Sequence, residues 1–258
     1  PGERFVDMSA LAKELGRTRR SRWGLALSAA ALAGVAAGSW SLLSSSAPAP
    51  CERIAQSWEE PWSAGERAQL RASLDAIPGY GPDLWRFVEE ELAGFERRWL
   101  ETQEASCRAT KIDEVASKEV YRERGQCLEH ARLELRAVLE TLRTASTGEL
   151  AATGDAMALL RDPRACMEDS QLGVLPANEA RSAAIRTQRT EIARLEAQAS
   201  LGRLDEAAGG LQAICEGKDA VGFAPLRSEC SLVLAKVQSK RAKLEEAERH
   251  FLSAISAG

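Results

Sequence analysis

Residues 24–43, "GLALSAAALAGVAAGSWSLL", contain no charged side chain, and Arg17, Arg19, Arg20 and Arg22 stand directly before them. No other feature narrows the possible folds as much. Twenty helical residues at about 1.5 Å rise match a hydrocarbon core of about 30 Å. A buried helix of a water-soluble core would show one polar face, and this run offers only Gly, Ser and Ala. Trp23 and Trp40 lie near its ends, where indole rings favour the lipid interface, and a Ser/Ala/Pro linker follows at 44–50. A cleaved signal peptide fits less well. Its apolar stretch is usually about 7–15 residues, and the best small-residue site, Ser45-Ser46-Ala47, would leave Pro48 first. The pattern therefore predicts a single transmembrane helix at 24–43. The arginines then hold the amino end in the cytoplasm and send the remainder outside, in contact with membrane lipid. Gly34 and Gly38 form a GxxxG that would let two spans approach as a homodimer.

Residues 1–23 carry six basic side chains against three acidic ones, although the whole chain is at net −4. The basic residues abut an apolar run and no aromatic-rich basic surface follows, which excludes nucleic acid as the expected partner. Ala, Leu, Glu and Arg dominate, aromatics are 5%, and β-branched residues are sparse, so the expected fold class is all-α.

Before the basic segment, "PGERFVDMSALAKELG" spaces Phe5, Met8, Leu11, Ala12 and Leu15 as one face of a helix. It is too short to bury that face alone. The pattern P-x-E-R-F-x-x-M-x-x-L-x-x-x-L resembles the last helix of the catalytic domain in bacterial Hanks-type serine/threonine protein kinases. In that family a basic juxtamembrane stretch and one span often follow. The resemblance implies that Arg4 is the structural arginine that pairs with the glutamate of the A-P-E motif. It also implies a catalytic domain before Pro1, where ATP and Mg would bind. No cofactor is expected on these residues, since the Gly-rich loop, strand lysine, H-R-D and D-F-G motifs have no counterparts here. His130 and His250 each lie in a charged helical sequence and are expected on helix surfaces. Neither they nor the cysteines have metal-ligand spacing, so no catalytic or metal site is predicted.

Six cysteines in an exported domain suggest disulfides; buried free thiols are the alternative. Leu84, Val88, Leu92, Phe95 and Trp99 mark one helix, and Leu128, Ala131, Leu135, Val138 and Leu142 mark another. The two predict a hairpin turning near residue 117, with Cys107 and Cys127 equidistant from it. Cys215 and Cys230 flank a break near Gly222, which leaves Cys51 with Cys166 by elimination.

The last seventy residues repeat themselves. "GRLDEAAGGLQAI" from Gly202 lies over "AKLEEAERHFLSA" from Ala242 at an offset of forty, matching Leu204 with Leu244, Glu206 with Glu246, Ala207 with Ala247 and Leu211 with Phe251. This is similar to the second-helix start of a tetratricopeptide repeat, which implies stacked helix-turn-helix units. The period exceeds 34 and the first-helix Trp and Leu-Gly positions are not met, so a generic α-hairpin pair stands beside the true repeat as a reading.

The expected organisation is a last kinase helix at 1–16, a basic segment at 17–23, the span at 24–43 and the linker at 44–50. A helical domain at 51–175 and tetratricopeptide-like helices at 176–258 complete it. The expected function is the membrane-spanning and extracytoplasmic sensor and protein-interaction region of a bacterial serine/threonine kinase, without catalytic residues of its own. The rival expectation is a membrane-anchored helical scaffold with no kinase attached. Either takes a protein or peptide partner.

Overall fold

The computed structural model describes Cys51, Ile54, Trp58 and residues 62–168 and 175–257. The expected kinase helix with Arg4, the basic segment, the span with Gly34 and Gly38, and the linker all lie outside the described residues. The expected fold class is corrected in one respect. Among the described residues no helix is long and apolar enough to cross a membrane, and the fold they show is all-α helical pairs. The two longest described helices, Gly81–Lys111 and Lys118–Arg143, have buried residues along one side and exposed, mostly charged ones along the other, whereas the carboxyl-terminal half of Glu179–Ser200 is enclosed all round (residues 197–200 are all buried).

Nine helices follow one another in the described residues: α1 (Ala64–Asp75), α2 (Gly81–Lys111), α3 (Lys118–Arg143), α4 (Thr153–Met157), α5 (Glu179–Ser200), α6 (Leu204–Cys215), α7 (Lys218–Gly222), α8 (Ala224–Lys240) and α9 (Leu244–Ala257). Two 3₁₀ turns, Glu149–Ala152 and Pro163–Met167, lie between α3 and α5. The starts are written in cap residues. Ser63 and Glu66 form a reciprocal capping box on α1, Ser117 Oγ accepts from Val120 N, and Asn178 Oδ1 accepts from Arg181 N at 2.9 Å. Gly81 opens α2 where a Cβ would stand 2.1 Å from the Leu74 carbonyl oxygen, so α1 and α2 can meet only over a glycine.

Packing runs along the chain. α1 and α2 pack on α3, α3 lies along α5, α5 pairs with α6, α6 meets α8, and α8 pairs with α9. One apolar core lies under α5 to α8 (Ile185, Ile192, Leu195, Leu211, Leu234). A second joins α1 to α2 and α3, and a third joins α2 to α3 and Cys166; there Trp58 meets Trp99 edge-on at 5.4 Å, and Trp99 Nε1 donates to the Leu128 carbonyl at 2.9 Å.

The cysteines form Cys51–Cys107, Cys127–Cys166 and Cys215–Cys230, with Cα separations of 6.0, 5.6 and 5.6 Å. The last is the predicted bond; the expected Cys107–Cys127 and Cys51–Cys166 pairings are corrected. Their failure is geometric. α2 continues to Lys111 and α3 starts at Lys118, so the hairpin turns before residue 117. Cys107 then stands near the end of α2 while Cys127 stands well inside α3. That is an axial offset of roughly five residues, or ~7 Å, added to the interaxial distance and beyond what a disulfide spans. Cys107 is left to Cys51, and Cys127 bonds Cys166 on the second 3₁₀ turn, which packs on both α2 and α3.

Candidate functional site

The forty-residue offset seen in the sequence is repeated in the backbone. α5–α6 and α8–α9 are joined by tight turns in which Gly202 (φ 95°) and Ala242 (φ 58°) occupy the left-handed region. Arg203 N donates to Gln198 O at 3.1 Å, and Lys243 N donates to Gln238 O at 3.0 Å; Gly202 N to Ala199 O is matched by Ala242 N to Ser239 O. Ala207 and Ala247 are both buried beside these turns, where only a small side chain lets the paired helices close.

The two units differ in what covers their second helix. On α6, Leu211 is fully buried and Leu204 packs against the core beneath α8. On α9 the corresponding face is open: Leu244, Phe251, Leu252 and Ile255 are 68%, 38%, 60% and 77% exposed. These four recur at helical spacing and form one stripe. Glu245 and Glu248, both exposed, give its amino-terminal half an acidic flank. A stripe of this kind on a repeat's last helix is the place where a further helix packs.

A buried charge cluster lies where α3, α5 and α8 approach one another. His130 Nε2 on α3 is 3.0 Å from Glu134 Oε1 and 3.4 Å from Glu229 Oε1 of α8. Arg189 Nε of α5 donates to the other Glu229 oxygen at 3.0 Å, and Arg161 Nη2 lies 3.7 Å from Glu134. Burial pushes the His130 imidazole toward its neutral form, but the close carboxylates of Glu134 and Glu229 outweigh it and hold its pKa at about 9. Burial likewise raises Glu229, and the His130, Arg189 and Arg161 charges more than reverse that, leaving it lowered. His130 is thus 4% exposed rather than on a helix surface as expected, because its charged neighbours in sequence include its own buried partner one turn on.

A cavity of about 240 Å³ opens beside this cluster, lined by residues of α3 and α5 and by Leu175. It adjoins a hollow of about 360 Å³ that runs past Leu175, Pro176 and Ala177. Sequence reasoning missed both cluster and cavity. The signal was present in the repeat: Arg189 and Glu229 are forty residues apart, so equivalent positions carry opposite charge.

All six candidate cysteines are bonded and serve as staples. No group of metal-ligating side chains occurs among the described residues. The chain matches no known family model, no curated protein and no solved structure.

Proposed function

We propose that residues 51–257 form a disulfide-stapled protein-interaction domain of an extracytoplasmic compartment, which takes a partner's basic amphipathic helix onto the open face of α9. The contrast between covered α6 and open α9, at equivalent positions of one repeat, carries this reading. Three disulfides support an oxidising compartment. The acidic flank at Glu245 and Glu248 favours a basic partner. The domain serves as the sensor part of a Hanks-type serine/threonine protein kinase, a step that rests on the resemblance of residues 1–15 alone. The helix-pair packing gives equal support to a second reading, a helical scaffold with no kinase domain.

The test is fluorescence anisotropy with a labelled helical peptide carrying leucines at i, i+3, i+4 and i+7 and lysines beside them. Binding should weaken more than tenfold in Leu252→Lys/Ile255→Lys, since each apolar side chain contributes about 1.5–3 kcal/mol when covered. Equal binding by that variant, or by a peptide with glutamates in place of the lysines, would sink the proposal. So would sedimentation showing that a second copy already covers the face.

A further inference from the structure

We infer that Cys51–Cys107 is a site of thiol–disulfide exchange, opened from the Cys51 side by a dithiol that carries no negative charge. Access separates it from the other two bonds. Cys51 lies ahead of α1, is partly exposed, and lines a hollow of about 500 Å³ along α2 together with Ile54 and Leu100. Exchange begins with a thiolate reaching a sulfur, so the sulfur that can be reached sets which bond opens. Cys127 and Cys166 are 3% and 0% exposed, and no thiolate reaches either unless the turn Pro163–Met167 first lifts from α2 and α3.

Cys215 is also partly exposed, and there the leaving group makes the difference. Attack on Cys215 expels Cys230 as a thiolate, and Cys230 is fully buried with its Sγ 3.2 Å from the Leu211 carbonyl oxygen. An anionic sulfur held against a carbonyl oxygen in an apolar core is repelled and unsolvated. Cys107 leaves into other surroundings. Thr110, three residues on and on the same side of α2, brings a buried hydroxyl that has no hydrogen-bond partner and can donate. Arg108 and Lys111 in the last turn offset the negative pole of the helix end.

In the first step the dithiol's thiolate bonds to Cys51 Sγ, the protein S–S bond breaks, and its electron pair leaves on Cys107, which takes a proton from water. The second thiolate of the dithiol then attacks the first dithiol sulfur in the mixed disulfide and expels Cys51, which is protonated in turn. The dithiol is oxidised to a disulfide and the protein bond is reduced to two thiols. Charge selects the reagent. Glu96, Glu101 and Glu104 line the hollow with Arg97 alone against them, a formal net of −2 that repels an anionic thiolate carrier. Neither cysteine belongs to the cores that join α1, α2 and α3, so these helices stay packed while the chain ahead of α1 is released from α2. The site is separate from the face of α9, and its test leaves that reading untouched.

Graded reduction of the full chain with dithiothreitol, followed by alkylation and mass mapping, provides the test. Cys51–Cys107 should open about tenfold faster than either other bond, with helix content by circular dichroism unchanged. Once it is open, iodoacetamide should label Cys51 before Cys107, which is 3% exposed. At low ionic strength, cationic cysteamine should open the bond several-fold faster per thiolate than anionic mercaptoethanesulfonate, and Glu101→Gln/Glu104→Gln, at exposed positions, should narrow that ratio. Earlier or equal opening of another bond, loss of helix on opening Cys51–Cys107, or a ratio that the folded double variant leaves unchanged would each overturn the inference.

Discussion

Replacing His130 tests the buried cluster through the pH dependence of stability. In the folded protein its pKa is held at about 9, against 6.5 for an unperturbed histidine. The native state therefore binds a proton that the unfolded chain has released between those two values. Stability contributed by His130 is fully present below pH 6.5 and is lost as pH rises through 9, with a limiting slope of about −1.4 kcal/mol per pH unit. The interval of roughly 2.5 units gives a total of about 3 kcal/mol, and solvent screens little of it because the side chain is 5% exposed. In a domain of this size about 3 kcal/mol corresponds to roughly 6–12 °C in Tm.

Few other groups interfere in that window. The cysteines are all bonded and do not titrate. His250, held below its usual value by burial and by Arg249, has the opposite sign and acts below pH 6.5. The charges that face the imidazole are Glu134 of α3, Glu229 of α8, Arg189 of α5 and Arg161 of the segment after α4, and Glu229, despite its burial, is held below its usual value by His130 and these cations. Gln at position 130 keeps an N–H donor for Glu134 and Glu229, so His130→Gln should fold. Urea unfolding at pH 6.5, 7.5 and 9 should show the wild-type midpoint falling and the variant's nearly flat. A flat wild-type profile, or the same slope in His130→Gln, would refute the argument.

Mass mapping of unreduced protein should recover Cys51–Cys107, Cys127–Cys166 and Cys215–Cys230, and freely reactive thiols would contradict the proposed compartment. Opening Cys215–Cys230 by Cys230→Ser should cost about 3 kcal/mol in urea unfolding, from the 15-residue separation of its ends. Ala242→Gly should stabilise by about 0.5–1 kcal/mol, because Ala242 sits at φ 58° where its counterpart is Gly202; a drop in Tm would show that the Ala242 methyl group does more than occupy the turn.

Helices were legible wherever apolar spacing was long, as with Leu84 to Trp99 and Leu128 to Leu142, and wherever a cap residue marked the start. The sole asparagine, Asn178, is a cap, which periodicity does not use. Cys215–Cys230 could be read because both ends flank one short break. Cys127–Cys166 could not, because it depends on the turn Pro163–Met167 folding back over α2 and α3, a long-range contact with no periodic signal. His130 was misread because charged neighbours in sequence suggest solvent. On a helix, however, the residue four positions on lies on the same face, and Glu134 goes inside with it.

Divergence within the forty-residue repeat is also what makes the register between α5 and α8 unique. Arg189 pairs with Glu229, and seven residues further, two helical turns on, Glu196 pairs with Lys236 at 3.0 Å. Both pairs join equivalent positions, so the first helices of the two units lie side by side in step. A perfect repeat would set like charges opposite each other at both places and push these helices apart. Here the sign alternates along each helix and is reversed between them. Sliding α8 by one turn would bring Glu229 against Ile185 or Ala193, leaving a buried carboxylate unpaired at a cost of several kcal/mol. The exposed pair contributes little energy, but it excludes the same slips. Divergence at two positions thus turns a repeated pair, which could stack in several ways, into one that stacks in one. The same divergence puts Glu229 within reach of His130, and so places the charge cluster beside the cavity.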